Sequence, residues 1–128
     1  MKYMLLMNAT AKGWGSFGTM KPEEIRAHVQ FMKDINAELE RTRELVDARG
    51  LTPPEMAMSV RAGAGGAVVT DGPFPETKEF LAGYWVLDCK TPERVKEIAA
   101  KISTAPGPGG QPMNFPVEIR PVGSAPEV

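Results

Sequence analysis

A chain of 128 residues with one cysteine and one histidine is poorly supplied for several kinds of chemistry. Cys89 has no second cysteine with which to form an internal bridge, so the fold rests on its core; a chain of this length buries roughly two-thirds of its unfolded surface, enough for one core. His28 and Cys89, without carboxylates clustered at ligand spacing, give no pattern for zinc or iron, and no cofactor is expected. No serine stands in a nucleophile-elbow context, which sets aside a Ser-His-Asp hydrolase. Long apolar runs are absent too: Tyr3 to Met7 is far shorter than a secretory core or a spanning helix. Fifteen Lys and Arg against sixteen Asp and Glu leave a net charge of -1 with no block of like sign, so the basic field that phosphate-backbone binding needs is missing. The reading is a cytoplasmic protein with neither nucleic acid nor membrane as partner.

What is present is patterned. Lys2 to Asn8 carries Tyr3, Leu5 and Met7 on one face and Met4 and Leu6 on the other, a strand that wants cover on both sides. A long irregular loop, Ala9 to Met20, precedes a helix. Pro22 suits its first turn and Glu23 and Glu24 complement its dipole; Ile25, Val29, Met32, Ile35 and Leu39 then form one stripe as far as about Arg41, with His28 at its edge. Glu44 to Ala48 fits a strand or a continuation of that helix. Met58 to Arg61, the Gly63-to-Gly66 turn and Ala67 to Thr70 make a hairpin. Leu81 to Cys89 is a strand with Leu81, Trp85 and Leu87 on one face and Ala82, Tyr84 and Val86 on the other. Thr91 and Pro92 open a second helix with Val95, Ile98, Ala99 and Ile102 as its stripe, Ala105 to Pro112 reads as a surface loop, and Val117 to Arg120 as an edge strand.

Two amphipathic helices and about five strands fit an α+β plan, an antiparallel or mixed sheet with both helices on one face, in one domain over residues 1–122 with a tail at 123–128. Met4, Leu6, Tyr84 and Val86 would then line the other face. A homodimer with sheets packed face to face would cover it, as would loops of the same chain.

Three places hold candidate functional groups. Asp71-Gly72-Pro73-Phe74-Pro75 is a rigid turn in which Asp71 either only accepts backbone N–H groups or also lines a pocket. His28 is a candidate general base or a packed histidine bonded to a carbonyl, and Asn36, on the same stripe, must find hydrogen-bond partners in the sheet, across a dimer or in a ligand. Gly13-x-Gly15-x-x-Gly18 matches the dinucleotide fingerprint in letters, but the helix opens later, at Pro22, and Trp14 and Phe17 crowd the loop; a flap is the better reading, with Trp14 either docked on its own domain or closing over a ligand.

The run Thr70-Asp71-Gly72-Pro73-Phe74-Pro75-Glu76-Thr77-Lys78-Glu79, followed by Leu81-Ala82-Gly83-Tyr84-Trp85, resembles the DGPF group of the YCII-related bacterial proteins. The likeness extends to Met1-Lys2-Tyr3-Met4-Leu5-Leu6, Pro22-Glu23-Glu24 and Val117 to Val122, with departures at Lys21, at Ala82-Gly83 and in the loop around Trp14. The resemblance implies a ferredoxin-like fold whose homodimers form an α/β barrel. It also implies a His–Asp pair, here His28 and Asp71, and for some members a neighbourhood with extracytoplasmic sigma factors. Three functions follow as expectations. The first is a small-molecule-binding or sensing homodimer with a pocket lined by Trp14, His28, Asp71, Phe74 and Tyr84. The second is a cofactor-independent isomerase or oxygenase with His28 as base and Asp71 as its orienter or acid. The third is an interaction protein in sigma-factor regulation.

Overall fold

A computed structural model describes residues 1–10, 18–72 and 79–126. Along the chain these form β1 (Lys2–Thr10), α1 (Pro22–Arg41), β2 (Leu45–Gly50), β3 (Met58–Gly63), β4 (Gly66–Asp71), β5 (Glu79–Asp88), α2 (Pro92–Ser103) and β6 (Val117–Pro121). Four of the strands make one sheet in the order β2-β5-β1-β6, and every neighbouring pair is antiparallel. β1 and β5, the strands with apolar residues on both faces, lie at the centre, and the proline-ended β6 lies at an edge. The units β1-α1-β2 and β5-α2-β6 are each split by a strand of the other, which is the ferredoxin-like arrangement.

The hairpin is not part of that sheet. Among the described residues β3 and β4 pair only with each other, as an insertion between the two units, and Met58, Val60 and Val69 are more than half exposed. Alternation over so few residues fits a strand but does not say what the strand packs against.

Tyr3, Leu5, Trp85 and Leu87 face the helices and form the core with Ile35 and Leu39 of α1 and Val95, Ile98, Ala99 and Ile102 of α2. The apolar stripe of α1 is turned slightly from its predicted line. At about 100° per residue, His28 falls between Ile35 and Leu39 on the helix circumference and Val29 falls outside them. Accordingly Val29 is 42% exposed, while His28 is half-buried beneath the helix.

The segment after α2 is more ordered than a surface loop. Gly107 N–H donates to the Gln111 carbonyl, Met113 N–H to Ala105, and Pro106 and Pro112 bridge across; Ala105 and Gly107 are buried. The return needs Gly109 and Gly110, at φ 68° and 73°, a region other residues enter at a cost. Glu24 fastens this segment to the start of α1. One carboxylate oxygen accepts the Lys21 N–H at 2.8 Å and the other accepts the Gly109 N–H, and these bonds hold the carboxyl below its ordinary pKa. Lys21, with no acceptor in its side chain, leaves Glu24 to cap the helix alone. Among the described residues no helix is long and apolar enough to cross a membrane.

Candidate functional site

The regular pairing of β1 with β5 breaks at one point. Met7 pairs with Gly83 and Asn8 with Leu81, so Ala82 bulges out of register. Next to it the backbones crowd: a Cβ on Gly83 would come 2.9 Å from the Arg49 carbonyl oxygen of β2. A cavity of about 690 Å³ lies at this irregular end of the sheet. Its roof is the N-terminal and middle part of α1, through His28, Met32 and Asn36. Its floor includes Met7, Ala82 and Trp85, and the ordered segment after α2 supplies Met113 and Phe115 as a wall. Tyr84 and Arg49, which alternate to the opposite side from Trp85 and Ala48, line it as well, so the cavity is not confined beneath the helices.

Inside this largely apolar space the polar groups are few and oriented. Trp85 is 4% exposed and its indole N–H donates to Asn36 Oδ1 at 2.8 Å. An indole N–H can only donate, which assigns the oxygen of Asn36 to Trp85 and turns its NH₂ the other way. His28 Nδ1 lies 3.0 Å from the Pro106 carbonyl oxygen. That oxygen can only accept, so Nδ1 carries a proton and donates to it. Tyr84 donates its hydroxyl to Asp47 Oδ2 at 3.2 Å. Loss of solvent, then the hydrogen bond to that carboxylate, raises its pKa and keeps the phenol protonated. The charged lining groups, Arg49 and Glu79, are exposed at the rim.

Of the residues singled out in the sequence, His28 and Tyr84 line the cavity, and Trp14 and Phe74 lie outside the described residues. Asp71 is exposed at the end of β4. It does not appear among the described lining residues, and His28 Nδ1 meets the Pro106 carbonyl. Gly72, at φ 79°, donates its N–H to the Ala57 carbonyl and closes the base of the hairpin. The wall residues Met113 and Phe115 gave no signal in a stretch dominated by proline and glycine. Asn36 did, as a polar residue on an apolar stripe. Among the described residues no three His, Cys, Asp or Glu side chains group to hold a metal ion.

The other end of the sheet carries a charge cluster of a different kind. Arg94 grips Glu44 in two bonds, Nε to Oε2 at 2.9 Å and Nη2 to Oε1 at 2.8 Å, and the Thr42 hydroxyl adds a third at 2.7 Å. The guanidinium bonds hold the Glu44 carboxyl at about 2. Cys89, 2% exposed, is pushed up to about 11 by burial and then by Glu44, so it is an inert core thiol.

A ferredoxin-like α+β domain with an apolar, sparsely polar cavity at one end of its sheet defines a structural class that hosts many activities. Within that class the sequence matches the YCII-related domain over residues 1–109, and the chain belongs to that family. It is also similar to the uncharacterised protein R00369 of Rhizobium meliloti (strain 1021), 36% identical over 72 residues, which are 56% of this chain and 54% of that protein. The matched stretch thus spans about half the length of this curated relative.

Proposed function

We propose that the protein is a small-molecule-binding or sensing member of the YCII-related family, with its ligand in the cavity between α1 and the bulged end of the sheet. The observation that carries this reading is the cavity itself. At about 690 Å³ it falls within the size range of small-molecule sites, and it combines apolar walls with a few fixed polar groups, as such sites do. The reading includes a homodimer formed through the side of the sheet away from the helices. There Met4 pairs with Val86 and Leu6 with Tyr84 at the centre, with Asp47 and Arg49 on one border and Glu118 and Arg120 on the other, an apolar strip between borders of mixed charge. A two-fold contact sets such a strip against itself.

Native mass spectrometry of gently purified protein tests both parts. A dimer carrying added mass is expected. A bare monomer at micromolar concentration would remove the interface, and the absence of any saturable thermal shift across a metabolite panel would remove the ligand.

A second reading, a cofactor-independent isomerase or oxygenase, is favoured by one observation: the Pro106 carbonyl, 3.0 Å from His28 Nδ1, orients an imidazole that lines the cavity. His28→Ala separates the two. Loss of turnover of a screened substrate with binding retained supports catalysis, whereas a binding protein loses affinity without ever showing turnover.

A further inference from the structure

Asn36 sits where a ligand with a particular chemistry would be selected. Its Oδ1 is committed to the Trp85 indole, and its NH₂ has no protein partner among the described residues. Among the described residues no buried side-chain nitrogen or oxygen is left without a hydrogen-bond partner, so that donor is not sealed away, and Asn36 lines the cavity. Around it stand Met32, Met7 and the Trp85 ring, with the charged Arg49 and Glu79 at the rim. Trp85 is buried and its bond to Asn36 is part-buried, and that bond holds the amide before any ligand arrives. A pre-oriented donor in apolar surroundings discriminates strongly. A ligand that brings an acceptor completes it, and one that brings only carbon strips its water and leaves it unpaired.

We infer that Asn36 Nδ2 is the specificity-determining donor of this cavity, and that the cavity takes an apolar ligand whose carbonyl or comparable acceptor oxygen is seated against it. The inference rests on the binding reading above and narrows it to a class: uncharged in its buried part, with an acceptor oxygen at the α1 end. Asn36 is a positioning group for the Trp85 ring as well as a ligand contact, so a test has to keep the first role while removing the second.

Asn36→Asp does so at pH 8. The carboxylate still accepts from the Trp85 indole but has no hydrogen to donate. The probes are 2-acetylnaphthalene and 2-ethylnaphthalene, nearly equal in shape, of which only the first carries an acceptor oxygen, and the readout is their dissociation constants by equilibrium dialysis. The expected result is roughly tenfold tighter binding of the ketone by the natural protein, with the preference abolished in Asn36→Asp. Equal binding of the two probes, or a preference that survives the substitution, overturns the role of Asn36 and leaves the cavity reading standing. Binding of neither probe up to its solubility overturns both. Should Asn36→Asp fail to fold, the ratio of the two constants in the natural protein decides alone.

Discussion

α2 is 12 residues long and buries four of them, Val95, Ile98, Ala99 and Ile102; α1 is 20 residues long and buries two, Ile35 and Leu39. Both helices lie on the same side of the same sheet. The difference is where their inward faces point: α2 and, on α1, Ile35 and Leu39 join Tyr3, Leu5 and Leu87 in the core, while His28, Met32 and Asn36 of α1 line a cavity. An amphipathic pattern alone treats the two alike. The contrast teaches that the polar residues interrupting the stripe of α1 mark where the helix borders the cavity as well as the core.

The sharpest way to break this comparison is to cut the same amount of side chain from each end. Ile102→Ala removes a fully buried side chain from α2 and is expected to cost about 2–5 kcal/mol in denaturant unfolding, because the closely packed surroundings cannot collapse into the gap. A cost below about 1 kcal/mol would show that the α2 end is as loosely packed as the other.

Next in size is the ion pair that ties α2 to the residue before β2. Glu44 has its pKa lowered to about 2 from an ordinary 4.5, mainly by its bonds to Arg94, so it binds protons less readily folded than unfolded. The stabilisation is therefore complete above the ordinary value and disappears as pH falls through about 2. Arg94 is 35% exposed, and solvent screening reduces the effect. Glu44→Gln is expected to lower stability by about 1–3 kcal/mol at pH 7, with the gap to the natural protein narrowing below pH 4.5 and nearly closed at pH 2. Paired urea melts across that range check it; a gap independent of pH would assign the effect to packing rather than charge.

How much of this was legible depends on what each feature needs. The four-stranded sheet and both helices are written in local periodicity: Tyr3/Leu5/Met7 against Met4/Leu6, and the 3–4 spacing of Val95, Ile98, Ala99 and Ile102. His28 was legible as a residue of the helix face, though its place near the centre of that face follows from helix geometry that the more apolar Val29 disguised. Of the cavity, only His28 and Tyr84 were legible as lining residues. The cavity itself depends on a one-residue bulge at Ala82 and on the return of Met113 and Phe115 after α2, a contact across the fold that no short-range pattern records. Nor was the isolation of the β3–β4 hairpin legible, since alternating residues in a strand do not name the surface they meet.

The smallest expected effect completes the contrast from the cavity side. Met32 faces the same sheet as Ile102 does, but one side of it borders open space and it is only half-buried. Truncation there gives up fewer close contacts and enlarges a cavity that already exists, so most of the penalty of creating a new void is absent. Met32→Ala is expected to cost at least about 1 kcal/mol less than Ile102→Ala in the same denaturant series, while changing the affinity for 2-acetylnaphthalene several-fold. Equal destabilisation by the two substitutions would mean that the cavity end contributes to the core as fully as the α2 end. The polar interruptions in α1 would then be accommodated within ordinary packing rather than marking a place kept open for a ligand.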